Sequence, residues 1–334
     1  MAQLGVTMPT LIDVAKRLDP DGKIADIAEM LSMTNEVLTE MPFLEGNLPT
    51  GHRTTIRTGL PTVAWRLLNA GVQPSKSTTA QIDEQTGMLE AYSEVDVDLA
   101  KLNGNTSAFR LSEAAAFVEA MSQEMAATLF YGNSGSAPEE FTGLTVRYSS
   151  LSAPNGQNIV DCGANSGDGT SMWLIVWGPN TVHGIYPKGS VAGLQHKDLG
   201  EVTVENANGV TGARMQAYRD HWQWKCGIAL RDWRYAVRIA NIDISVLVAD
   251  PTAATLNLTQ NMIKAIHRIP SMGLGRPVFY CNRTVLAMLD IQRYNAVKNA
   301  SIDYSVIDGK WAPSFRGIPI RTTDALLENE ADVT

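Results

Sequence analysis

Apolar residues along the chain change their spacing several times, and each change marks an element. In "LSEAAAFVEAMSQEMAATLFYGN", Ala114, Val118, Met121, Met125 and Leu129 recur every three or four residues, as on one face of a helix. Ser112 is placed to cap its start and Gly132 to end it, predicting a helix from Ser112 to Tyr131 about 30 Å long. Its methionines read as core filling rather than a binding groove. Nearer the start, "LIDVAKRL" repeats apolar residues at helical spacing behind a Thr10–Asp13 capping arrangement, "DPDG" (Asp19 to Gly22) breaks the chain, and "IADIAEMLSM" resumes a helix. "MPFLEGNLPTG" and "RTGLP" are too rich in Pro and Gly for a regular element.

The spacing then shortens. "HRTTIRT" reads as a strand, and "MLEAYSEVDVDLAKL" ends with Val95, Val97 and Leu99 alternating against Glu94, Asp96 and Asp98. With polar "GVQPSKSTTAQIDEQTG" between them, they predict an extended two-stranded excursion with one acidic face. An isolated hairpin is marginal in water, so this one needs a partner. "NIVDCGANSGDGTSMWLIVWGPNTVHGIYPKG" reads as strand, glycine-rich turn, strand, turn, strand. "HWQWKCGIALRDWRYAVRIANIDIS" continues as a long strand, on which Arg234 and Arg238 share a side only across a bulge or bend. Two helices follow: "TLNLTQNMIKAIHRI", stopped by Pro270, and "RTVLAMLDIQRY", capped by Asn282. A hairpin at "SVIDGKWAP" and a strand at "GIPIRT" precede "TDALLENE".

Composition narrows the function. At 334 residues with 44% hydrophobic and 19% charged, the chain can bury a sizeable core. Its net charge of -8 lacks the basic footprint of a free-standing nucleic-acid binder. No signal peptide is visible, and runs such as "MWLIVW" fall far short of the ~20 residues a membrane helix needs. Cys162, Cys226 and Cys281 are odd in number and lack a CxxC pair, so they read as small buried thiols in a reducing compartment.

A search for chemistry assigns no catalytic, cofactor-binding or metal residue. "DCGANSGDGTS" (Asp161 to Ser171) lacks the lysine of a phosphate loop, has Met172 where a calcium loop needs Glu, and its Gly167 and Gly169 feed a strand rather than a nucleotide-binding helix. It reads as a turn. His52, His183, His196, His221 and His267 form no HExxH or HxH, and no GxSxG occurs, although sequence alone leaves open a triad assembled in space. Glu139–Glu140 and Glu328–Glu330 read as solvated charge, and Asp232 as a salt-bridge partner of Arg231 and Arg234.

What remains is an arm, an extended loop and a long helix, each with surface that wants burial. That combination resembles the major capsid proteins of tailed bacteriophages with the Hong Kong 97-like fold. "SMWLIVWGPNTVHGIYPKGSVAGLQHKDLGE" and "HWQWKCGIALRDWRYAVRIANID" are similar to segments of such proteins from short-tailed (podovirus-type) phages, and "FRGIPIRTTDAL" (Phe315 to Leu326) is similar to their "GxPV"-type strand. The resemblance implies an α+β capsid fold. It divides the chain into an N-terminal arm (1–50), an E-loop (51–105), the spine helix of the P-domain (106–134) and a β-rich A/P segment (135–250). The β-rich segment holds a long P-domain strand (222–248). A-domain helices and hairpin (251–316) and a returning P-domain strand with C-terminal tail (317–334) complete the division. The long strand precedes the returning strand, which implies a permuted strand order.

The resemblance further implies a non-enzymatic subunit that self-assembles as hexamers and pentamers into an icosahedral virion shell, put together in the host bacterial cytoplasm. Its partners would be other copies, held in non-covalent chainmail by arm and E-loop, with a cement protein, a scaffold and the portal as further candidates. Lys76 lies in the E-loop, but no partner for a cross-link is identifiable. Packaged double-stranded DNA would be enclosed without sequence-specific binding, and an acidic lining lets it slide; no membrane is involved. Trp222, Trp224, Trp233 and Tyr235 are then expected to pack under the spine helix or across strands. Arg231, Arg234 and Arg238 should pair with carboxylates of the same or an adjacent subunit, Glu94, Asp96 and Asp98 being candidates. Two rival readings are a decoration or tail component whose tryptophans bind glycans, and a soluble hydrolase with an unrecognised site.

Overall fold

The structure is a computed structural model that describes residues 8–16, 32–102, 106–163, 167–205, 211–249, 256–295, 302–307 and 310–334. The chain opens with α1 (Leu11–Lys16), α2 (Val37–Glu40) and β1 (Phe43–Glu45). Thr10 and Asp13 do cap α1: the Thr10 amide and hydroxyl donate to Asp13 Oδ2 at 2.8 and 2.7 Å. The helix expected over "IADIAEMLSM" lies outside the described residues except for Ser32 and Met33, which are not helical.

β2 (Gly51–Gly59) and β3 (Thr78–Gln85) form a separate antiparallel hairpin in register from Gly51↔Gln85 to Gly59↔Thr78. The strand expected to partner "HRTTIRT" is therefore corrected. β3 arises from the polar "TTAQIDEQ", whereas β4 (Gly87–Asp96) pairs along its length with Ala217–Cys226. Only one residue of β3 is buried, so no one-sided apolar alternation announces it. The acidic alternation is also cut short. Asp96 accepts from the Asp98 amide at 2.8 Å and caps α3 (Val97–Ala100), so Glu94, Asp96 and Asp98 do not share a strand face.

The long helix, α4 (Thr106–Tyr131), starts six residues before the expected cap and spans 26 residues, about 39 Å. Ser112 is internal, its hydroxyl donating back to the Phe109 carbonyl at 3.1 Å. Phe109 explains the extra turns: it is buried with Val14 of α1, Val95 and Ala100 in a small satellite core. Met121, Met125 and Leu129 face the main core as expected, but Val118 is exposed. α5 (Leu144–Arg147) follows.

Five more strands come next: β5 (Ile159–Asp161), β6 (Gly169–Trp177), β7 (Val182–Tyr186), β8 (Leu194–Glu205) and β9 (Arg214–Leu230). β10 (Ala236–Asp243), α6 (Ile244–Ala249), α7 (Leu258–Arg268), β11 (Arg276–Cys281) and α8 (Arg283–Asn295) continue the chain. β12 (Ile302–Ile307), β13 (Lys310–Phe315) and β14 (Ile318–Thr322) finish it. The expected single strand over 222–248 is corrected to two strands and a helix. Asp232 accepts from the Arg234 amide at 3.1 Å and caps a 3-10 turn at Trp233–Tyr235, after which β10 pairs elsewhere. β9 instead begins earlier, at Arg214.

One 12-stranded sheet runs β12-β13-β14-β11-β6-β7-β9-β4, with β1 on β7, β10 between β5 and β6, and β8 on β9. β6 lies at its centre with all nine residues buried, as a near-continuous apolar run covered on both faces should be. α7 packs on β5 and β10, and α4 on β4. Asn282 caps α8, accepting from the Val285 amide at 2.8 Å, and α7 ends two residues before Pro270.

Candidate assembly surfaces

Among the described residues no group of three or more His, Cys, Asp or Glu could hold a metal ion. The glycine-rich loop is tied down by its own carboxylates. Asp161 accepts from the Gly163 amide and from Asn241, both at 2.8 Å, and Gly163 and Gly167 take φ of +82° and +77°. The histidines are scattered structurally as well, with one exception. His196 lies 2.9 Å from Asp220 and stacks on Trp222, and His221 stacks on Tyr92, but His52 and His183 meet edge-on with ring centroids 6.0 Å apart.

Trp222 is buried, its ring stacked on Phe117 of α4 at 5.1 Å with a 6° interplanar angle, so it packs under the long helix. Trp224 and Tyr235 are buried too, and Trp233 is half-buried against the same core. The three arginines part company. Arg234 is exposed and forks onto Asp232 at 3.0 and 2.7 Å. Arg231 donates to the Pro179 carbonyl and the Asn180 amide oxygen rather than to a carboxylate. Glu94, offered as a partner for this group, is held by Arg219. Arg238 is buried, and its partner is Glu330 at 2.8 Å.

That pair corrects the expectation that Glu328 and Glu330 are merely solvated. Glu330 also accepts from the hydroxyls of Tyr131 and Ser171, while Arg238 donates to Ser171 Oγ at 2.9 Å and the Tyr148 carbonyl at 2.8 Å. Burial and the adjoining carboxylate push the Tyr131 hydroxyl far above its ordinary pKa. The tail is fastened further by Asn241, which exchanges hydrogen bonds of 2.9 Å with both backbone groups of Val333. Glu328 accepts from Thr284 at 2.5 Å. Nothing in the spacing of "TDALLENE" distinguishes these carboxylates from surface charge, because their partners lie on α4, α8, β6 and β10.

The β2–β3 hairpin is anchored at its root and bare at its tip. At the root, buried Glu84 receives both ends of the Arg147 guanidinium at 2.7 and 2.6 Å. Beside it, burial holds the His183 pKa down to about 4, helped by His52 and Arg231, and burial with Arg231 lowers His52 as well. At the tip, Val63, Trp65 and Leu68 are 88%, 104% and 91% exposed, and Leu60 and Leu67 are 80% exposed. Monomeric proteins rarely present so many large apolar side chains together. The signal was readable, since "LPTVAWRLL" is an apolar run where a loop between polar strands should be polar.

The family model of the major capsid protein GP7 matches residues 19–334. The chain is similar to a solved structure of bacteriophage Epsilon15, at 35% identity and a TM-score of 0.77, covering 100% of this chain and 99% of that one. A capsid structure of bacteriophage JBD30 matches at 10% identity and a TM-score of 0.48, over 96% of this chain and 99% of that one. No curated protein matches the chain.

Proposed function

Since the chain belongs to the major capsid protein GP7 family and is a shell-forming phage subunit of the Hong Kong 97-like fold, we propose that it assembles through its exposed hairpin. The β2–β3 hairpin with its 60–77 tip is the E-loop, narrower than the 51–105 span read from the sequence, because β4 pairs with β9 rather than with the hairpin. α4 is the spine helix; with β4, β8 and β9 it makes the P-domain, and β5, β6 and β11 with α6 to α8 make the A-domain, joined by β10 and β14, which were expected in the P-domain but pair with β5, β6 and β11. β9 precedes β14, in keeping with a permuted strand order. Hexamers and pentamers form in the host bacterial cytoplasm by many weak contacts that sum to a stable shell. A scaffold, a portal and a cement protein are further partners in this reading.

The observation that carries it is the bare tip on an anchored root: a two-pronged ion pair at Glu84–Arg147, and a cluster of exposed apolar side chains that none of the described residues covers. A glycan-binding role fits less well, since Trp173, Trp177, Trp222 and Trp224 are all buried. Negative-stain microscopy of the purified full-length protein, with sedimentation velocity alongside, tests the proposal. Shells, rings or polyheads are expected, and a version with residues 60–72 replaced by a Gly/Ser linker should form none. Shells from the replaced version would overturn it.

A further inference from the structure

The hairpin root adjoins a cleft that the packing described above leaves unfilled. It holds about 160 Å³ between the start of β4, α4 and the loop after it, with Met88, Met125 and Phe141 as walls and Glu124, Glu139 and Glu140 around them. Engineered cavities of ~150 Å³ take up one benzene-sized ring, so the space suits a single aromatic side chain. Glu140 accepts a hydrogen bond from the Asn133 amide at 3.3 Å, but Glu124 and Glu139 have no salt-bridge partner among the described residues. An apolar cleft with unneutralised carboxylates calls for an apolar anchor beside a cation.

The same chain carries such a group on the hairpin tip. Trp65 is fully exposed, and its neighbour Arg66 is likewise exposed and has no carboxylate partner among the described residues. Tryptophan and arginine are also the residues that most often dominate protein interfaces. The tip cannot reach the cleft of its own chain. Gly87 lies two residues past the end of β3, so the cleft sits at the hairpin root. The tip stands beyond the far end of the nine-residue β2, about 30 Å away at ~3.3 Å per residue. A tip-to-root match that cannot close within one chain must close between two.

We infer that Trp65 of one copy inserts into the Met88–Met125–Phe141 cleft of a second copy, with Arg66 neutralising Glu124 and Glu139 on its rim. This rests on the reading of the hairpin as an assembly loop and adds what it lands on. The contact joins two different surfaces, so repeating it gives a ring when the rotation closes.

The test is a disulfide trap in the full-length chain carrying both Ala64→Cys and Met88→Cys, which keeps the Trp65 ring, assembled and then oxidised. Since the two positions of one chain are far apart, a covalent ladder on a non-reducing gel reports the contact between copies, and it is the expected result. Shells that form but give no ladder overturn the landing site while leaving the assembly loop intact. Should the double-cysteine chain not assemble, charge exchange decides. Arg66→Glu alone should raise the concentration needed for assembly by about tenfold or more. Glu124→Arg with Glu139→Arg in the same chain should restore it. No restoration overturns the inference. Assembly by the tip-replaced chain would instead sink the assembly-loop reading beneath it.

Discussion

β6 and the hairpin tip are both rich in large apolar residues, and the structure treats them oppositely. In β6, hydrogen-bonded between β10 and β11, every residue from Gly169 to Trp177 is buried. At the tip, Trp65 and Leu68 are left in solvent, although the root below them is anchored by the Glu84–Arg147 pair. Burial within the chain is what stabilises the subunit; apolar surface withheld from it is what remains to join subunits. Substitutions on the two sides should therefore read out in different measurements, stability on one and assembly on the other.

The largest loss of stability is expected from Glu330→Ala. It strands the buried Arg238 and unties the tail from β6, α4 and β10 at once. Breaking a buried pair by removing one partner costs about 3–5 kcal/mol, to be read from the urea midpoint of unassembled protein. A loss below ~1 kcal/mol would mean water reaches the pair and that the tail is a surface feature, as the sequence suggested. Phe117→Ala comes next. It removes the ring that stacks on Trp222 from a position only half-buried, so a loss of about 2–3 kcal/mol is expected, below the usual range for a fully buried ring. Tryptophan emission should shift to the red as Trp222 meets water.

These two cases also mark how far the sequence was legible. Helical spacing located α4, α7 and α8, and Asn282 and the Thr10–Asp13 pair identified caps correctly, because those signals are local. β3 was missed because both of its faces meet solvent and it has no apolar side to alternate. The break between β9 and β10 was missed because one aspartate capping a turn outweighs strand propensity on either side. Glu330 and Glu84 were invisible as structural residues, since their arginine partners lie 92 and 63 positions away in sequence. The family could be named from long segments, whereas its contacts depend on pairings of this distant kind.

The hairpin root should respond to pH. His183 and His52 have lowered pKa values in the folded protein, that of His183 about 4, and Glu84, Arg147 and Arg231 are the charged groups around them. A base whose pKa is depressed on folding is neutral when folded and takes up protons when released. Its stabilising effect is complete above the unfolded value near 6.5, and it is lost as pH falls through about 4. Unfolding midpoints should thus drop between pH 6.5 and 4, and His183→Asn should flatten that part of the profile. An unchanged slope in the variant would assign the acid sensitivity to other groups.

The smallest effect on stability should come from the tip. Replacing Leu60, Val63, Leu67 and Leu68 with serine removes four large apolar side chains that are already exposed, so the unassembled subunit should unfold within about 0.5 kcal/mol of the parent. The same substitution in the core of β6 would prevent folding. Assembly should respond the other way round, with the serine variant sedimenting as free subunits at concentrations where the parent forms shells. A variant that loses both stability and assembly would mean the tip folds back onto its own chain. One that loses neither would mean the exposed cluster has no partner, and the contrast between the two apolar regions would have to be explained without assembly.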